Sequence, residues 1–246
     1  MSRTIREKRM LTFNFKIITP KIIRNLSDII EKEVQSLTED RRNDFYILYT
    51  VDTRDNTSFE SQSNEIFKEN QILENRIVQK ITMHFYTYDN SKSIEIQIVH
   101  SVKDENLQNF IKVSGDETIW VNGVLVRLSE ILDWADNQIH IKYSNYIILP
   151  LLIIFNIEFY RLILMNPIFD ANLCKLLFAV VFIISIHLST KFPTYIQNLW
   201  PSIEIQTGLD HQNSVKKGRN KLFWILTSII LPLLLALIYD LIKSFF

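Results

Sequence analysis

Three apolar runs in the C-terminal part of the chain constrain its fold more than any other feature: Tyr146 to Met165, Leu173 to Ser189 and Leu222 to Tyr239. About 20 helical residues cross a hydrocarbon layer roughly 30 Å thick, so each run has about the length of a bilayer span. Helices this apolar also occur in the cores of large soluble proteins, but 246 residues leave too little other material to wrap three of them. The runs therefore predict three transmembrane helices. Pro150 and Pro232 are compatible with that reading, because in lipid a freed carbonyl is satisfied by neighbouring helices or by local adjustment.

Charge divides the chain at the same place. Residues 1–143 hold 19 Lys/Arg against 22 Asp/Glu, whereas residues 144–246 hold 8 against 5. The segment joining the first two runs has no Lys or Arg, while the one joining the second and third carries Lys191, Lys216, Lys217, Arg219 and Lys221. Basic short loops stay on the cytoplasmic side, so this loop and, two crossings earlier, the N-terminal domain are expected to be cytoplasmic. Met1 to Arg9 is basic, but Asn14 and Lys16 break the apolar stretch that a signal peptide would need, so insertion is expected to depend on the internal runs. The expected organisation is a cytoplasmic domain at 1–143, transmembrane helices 1 and 2 within 144–189, a cytoplasmic loop with an interfacial segment at 190–221, and helix 3 within 222–246.

The segment 1–143 reads as an α+β domain: an N-terminal antiparallel sheet with two helices, followed by the three-helix transmembrane region. Residues 10–18 alternate as a strand, and Thr19-Pro20 then supplies a helix start. Ile22, Leu26, Ile29, Ile30, Val34 and Leu37 recur at spacings of three and four, which predicts an amphipathic helix over 20–36. Strands are predicted at 45–51, 76–88, 93–101 and 107–113, with a hairpin turn at 89–92 and a second turn at 114–117. Val124, Leu125, Leu128, Ile131, Leu132 and Ala135 describe the second helix. In the long loop, Leu199 to Ile205 alternates apolar and polar after a Trp-Pro pair. It is expected either to rest at the headgroup layer, with Trp200 as anchor beside Lys216, Lys217, Arg219 and Lys221, or to pair with the cytoplasmic domain.

Composition excludes several functions. One cysteine cannot form a disulfide framework, balanced charge does not suit nucleic-acid binding, and 47% hydrophobic residues do not suit disorder. Four glycines form neither a Walker loop nor a dinucleotide fingerprint, and there is no G-x-S-x-G nucleophile signature. His84, His100, His140, His187 and His211 have no ligand spacing, so no metal site and no cofactor are expected. Cys174 stands alone at the end of a run and reads as a small apolar side chain. Carboxylates at 52–55, 104–105 and 116–117 lie in polar turns, where they are ordinarily solvated, so the chain is not expected to be an enzyme.

Two groups of residues stand out. Glu158 and Arg161, three apart in the first run, are costly in lipid; they mark a polar contact between helices or reach toward the boundary. Trp120, after Asp116 and Glu117, either packs under the following helix or lines a ligand groove with those carboxylates. The segment Gly115 to Val121, together with Trp200-Pro201-Ser202-Ile203-Glu204 before a basic turn and a last apolar run, resembles uncharacterised bacterial membrane proteins, some of them similar to components of antiviral defence systems. That resemblance implies a bacterial membrane protein, and no catalytic residues can be carried over from it.

The expected function is a cytoplasmic sensing or binding domain coupled to transmembrane helices, a membrane-perturbing effector or a subunit of a bacterial defence system. The alternative is a membrane scaffold that recruits a soluble partner. The expected partners are the lipid bilayer, further copies of the chain or another protein, and a small signalling ligand, with no nucleic acid.

Overall fold

The structure, a computed structural model, describes residues 6–38, 45–68, 70–89, 91–100, 109–138 and 171–225, and also 152, 153, 156, 157, 159–161, 227, 228, 231, 232, 235, 239 and 243. The elements in chain order are β1 (Glu7–Thr12), β2 (Lys16–Ile18), α1 (Pro20–Thr38), β3 (Phe45–Thr53), β4 (Ser58–Ser61), α2 (Glu65–Lys68), α3 (Asn70–Asn75), β5 (Val78–Thr87), β6 (Lys92–Val99), β7 (Phe110–Gly115), α4 (Thr118–Asp133), α5 (Ala171–Leu199), β8 (Ile203–Ile205) and α6 (Leu209–Ile225).

Six strands form one antiparallel sheet in the order β1-β7-β6-β5-β3-β4, so the chain is α+β with a large antiparallel sheet. Alternation along the strands decides which face is buried. Tyr49, Met83, Ile96 and Ile111 lie opposite one another across four strands and are fully buried, as are Ile81 with Ile98 and Ile94 with Val113. Helices α1 and α4 contribute Ile23, Leu26, Ile30, Val121, Val124 and Leu128 to the same core. The opposite face is half-exposed and mixed: Tyr46 meets Tyr86 with ring centroids 5.1 Å apart, and Lys112 pairs with Glu95 at 2.6 Å.

The expected single strand over 10–18 is two strands in two different sheets. Phe15 adopts φ 57°, a left-handed corner that ends β1's path before β2 begins. Strand β2 then pairs in parallel with β8, from the opposite end of the chain, with Lys16 opposite Ile203 and Ile18 opposite Ile205. The two-stranded sheet lies at the end of the larger one where β5 starts and β6 finishes. Val78 N–H donates to Thr207 Oγ1 at 2.8 Å, and Ile205 N–H donates to His100 Nδ1 at 3.3 Å. Ile18, Ile203 and Ile205 are fully buried in the common core. Of the two outcomes expected for 199–205, pairing with the domain is the one observed.

Helix α5 begins just before the second apolar run and continues past its expected end at Ser189 to Leu199, so the connection to the third run is shorter than the sequence suggests. Its 28 residues from Asn172 to Leu199 form the one helix among the described residues long and apolar enough to cross a membrane, with only 12% of its most apolar window buried. The predicted spans at 146–165 and 222–239 fall largely outside the described residues. Those described within them, including Asn156, Tyr160 and Leu231, are helical.

Candidate functional site

The junction between the sheet and helices α5 and α6 is organised by one buried carboxylate. Glu204, in the middle of β8, is 2% exposed. Burying a carboxylate is costly unless it is paired and hydrogen-bonded, and here three side chains, two of them from other segments, meet that requirement. Arg219 Nη2 on α6 and Gln138 Nε2, after α4, both donate to Oε2 at 2.5 Å, and Gln206 Nε2 donates to Oε1 at 3.0 Å. Arg219 also sends Nε and Nη2 to the carbonyl of Leu199, at 2.9 and 2.7 Å. That carbonyl ends α5, where the backbone has no helical donor left and the helix dipole is negative, so a guanidinium is a favourable cap. The same guanidinium lies over the ring of Trp200, 5.4 Å from its centroid.

Two glycines let the backbone pass closely enough for this arrangement. Gly208 follows β8 with φ +71°, and a side chain there would stand 3.0 Å from the carbonyl oxygen of Arg76; its N–H donates to the carbonyl of Leu73 at 3.0 Å. Gly218, one residue before Arg219, lies against Leu199, whose Cδ2 would be 2.7 Å from any Cβ at that position. The site therefore locks the end of α5, strand β8, helix α6 and the segment after α4 into one unit. Glu204 is thus buried with its carboxylate taken up by these three side chains.

A second group joins α1 to α4. Glu33, 7% exposed, accepts from Trp120 Nε1 at 2.8 Å and from Arg127 Nη2 at 2.6 Å. Trp120 packs on Gly115, where an added Cβ would sit 3.1 Å from the indole, and Lys92 Nζ lies 5.3 Å from its ring centroid. Asp116 and Glu117 are exposed at the turn before α4. Arg127 connects this group to a groove of about 330 Å³ between α1 and α4, whose lining includes Asp28, Lys32, Glu130 and Trp134. Trp134 is 68% exposed there.

Of the other residues singled out in the sequence, Glu158 lies outside the described residues, and Arg161 is exposed on a helical segment. Lys216, Lys217 and Lys221 are exposed on α6, whereas Arg219 of the same basic cluster turns inward to Glu204. The residues that sequence reasoning missed are Glu204, Gln138, Gln206 and Thr207. In the alternation Ile203-Glu204-Ile205 a glutamate reads as solvent-facing, and nothing local reveals that its partners come from two other segments. Among the described residues no group of three or more His, Cys, Asp or Glu side chains is placed to hold a metal ion.

The fold and junction define an α+β domain built on a six-stranded antiparallel sheet and completed by a segment that follows an apolar helix. No protein family, curated protein or solved structure matches the chain.

Proposed function

We propose that the protein is a membrane-anchored binding domain whose state is passed to transmembrane helices formed by its three apolar runs. In this reading the domain is cytoplasmic, the membrane is the inner membrane of a bacterium, and the helices perturb or gate the bilayer when the domain is engaged. The observation that carries the reading is β8. A strand between α5 and α6 is part of the domain's own core, so the end of the apolar helix α5 and the start of α6 cannot move independently of the sheet.

Three further features support it. Apolar side chains along α5 face outward, among them Leu176 at 62% and Ile183 at 66% exposure, which in water would be unusual for so long a helix. Asn156 contacts Ser185 and Tyr160 contacts Phe178, so the first run advances while α5 recedes, as in a helical hairpin that leaves the domain and returns to it. At 1.5 Å per residue α5 is roughly 43 Å long, enough to span a bilayer and still reach the sheet. Lys216, Lys217 and Lys221 lie on the domain side of that hairpin, in keeping with a cytoplasmic domain.

The groove beside Arg127 and Trp134 is where a small signalling ligand or a partner would engage. Its exposed Trp134 also favours the second reading, a scaffold in which the helices only anchor a domain that recruits a soluble protein. A role in antiviral defence rests on the resemblance drawn from the sequence. The test is to express the full chain in a bacterium and measure membrane potential and growth, after confirming by alkaline extraction that it is inserted. The effector reading expects depolarisation that is lost in a Glu158→Gln/Arg161→Gln variant. Unchanged potential with correct insertion leaves the scaffold, and extraction into the soluble fraction removes both.

A further inference from the structure

Helix α6 carries a cationic face that the chain itself leaves unneutralised. Lys216, Lys217 and Lys221 are exposed, whereas Arg219 between them turns inward to Glu204. Lys217 and Lys221 stand four apart on one side of the helix, and like charges at that spacing destabilise a helix in water. No Asp or Glu occurs anywhere in α5, nor from His211 to Tyr239. Among the described residues, neither these three lysines nor the exposed Lys191 of α5 form an ion pair. The charge complement of this surface is an anion from outside the chain.

The residues that follow the lysines narrow the choice of anion. Phe223 and Trp224 are 68% and 60% exposed. Trp224 continues the line of Lys217 and Lys221, and Phe223 that of Lys216 and Asn220, at the spacings of three and four that share a helix face. Beyond them Leu231 and Leu235, described positions of the third apolar run, are exposed as well. Along one segment the order is therefore cation, aromatic ring and hydrocarbon, the order in which a bilayer presents phosphate, interface and acyl chain. Where α5 leaves the second run after Ser189, Lys191 and Tyr195 supply the same two kinds of side chain, both exposed. A nucleic acid strand would match the lysines and the rings, but not the exposed leucines that follow them.

We propose that the exposed face of α6, with Lys191 and Tyr195 of α5, binds the phosphate headgroups of anionic phospholipids in preference to zwitterionic ones. The lysines contribute charge, and the rings fix their depth at the boundary of the hydrocarbon. On the inner side of the same helix Arg219 holds Glu204 and the last carbonyl of α5, so the lipid-binding face and the junction with the sheet share one short stretch of α6. This inference rests on the membrane reading for its setting and adds the class of lipid.

The test is to place the full-length protein in a phosphatidylcholine bilayer containing phosphatidylglycerol, extract it with mild detergent, and count by mass spectrometry the lipids that stay bound. Three proteins are compared: the wild type, Lys216→Gln/Lys217→Gln/Lys221→Gln and Lys216→Arg/Lys217→Arg/Lys221→Arg. One lysine near an anionic surface favours association about fivefold. The wild type is expected to hold phosphatidylglycerol over phosphatidylcholine at a ratio about fivefold or more above that of the bilayer. The glutamine variant should fall to the bilayer's ratio and the arginine variant should keep the enrichment. No enrichment in the wild type, or enrichment unchanged in the glutamine variant, overturns the inference and leaves the membrane reading standing. If the protein is soluble without detergent, flotation with vesicles of phosphatidylcholine, with and without phosphatidylglycerol, replaces the count. Capture only by the anionic vesicles, lost in the glutamine variant, keeps the inference and removes the spanning helices. Capture by neither or by both alike overturns it, as does binding of a single-stranded oligonucleotide through the same lysines without any lipid preference.

Discussion

Arg219 holds the Glu204 carboxylate and the last carbonyl of α5 at the same time, and so ties the longest apolar helix to the interior of a folded domain. Removing one partner of a buried pair leaves the other charge uncompensated. Arg219→Met is expected to lower stability by about 3–5 kcal/mol, and Glu204→Met/Arg219→Met by less than the sum of the two single changes. Thermal unfolding of the four proteins checks this; additive losses would mean that the two side chains are not coupled.

Gly208 stands at φ +71° with the Arg76 carbonyl oxygen 3.0 Å from the position a Cβ would take. Gly208→Ala is expected to cost about 1–2 kcal/mol from the left-handed backbone alone, and more from the contact. The same substitution at Gly123, which has nothing within 4 Å and lies inside α4, is expected to be neutral or stabilising. Unfolding midpoints of the two variants decide it.

Much of the domain is legible in the sequence because its signals are local. Alternation in Ser93 to Val99 marks β6, a run of strand-forming residues from Phe45 to Val51 marks β3, and three- and four-residue spacings mark α1. Strand β4, Ser58–Ser61, pairs at the sheet edge through a polar, half-exposed sequence with no apolar period to betray it. The junction is illegible for a different reason. β8 is very short and its partner lies near the N-terminus, while a basic cluster gives no sign that Arg219 alone turns inward. Trp120 is legible as a residue of interest, but its acceptor Glu33 sits far back in the chain on α1.

Burial, and then the carboxylates of Glu31 and Asp28, push the Tyr49 hydroxyl well above its ordinary value of 10.0. Tyr49 Oη donates to Glu31 Oε1 at 3.0 Å, and the anion would face that carboxylate. A group whose pKa is raised on folding contributes stability that is present below the unfolded value and is lost as pH rises beyond it. Stability is therefore expected to fall above about pH 10, and less so in Tyr49→Phe. Denaturation midpoints at pH 8 and above, with tyrosinate absorbance on the same samples, measure both.

Glu33 accepts from Trp120 and Arg127 at once, so Glu33→Ala leaves an indole N–H and a guanidinium short of a partner. A loss of about 1–3 kcal/mol is expected, with Glu33→Gln retaining the Trp120 acceptor and losing less. Unfolding curves of the two variants separate the hydrogen bond from the charge.

A disulfide across the parallel pair decides whether the segment between α5 and α6 belongs to the domain. With Cys174→Ser removing the native thiol, Lys16→Cys and Ile203→Cys fall on opposed positions of β2 and β8. Neighbouring strands lie about 4.8 Å apart, within the range of roughly 4.4–6.8 Å that a disulfide spans between Cα atoms. Mild oxidation of the full chain should give an intramolecular bond, seen as a faster band on a non-reducing gel that disappears on reduction. A double-cysteine protein that stays reduced, or links only between chains, would mean that β8 does not pair with β2.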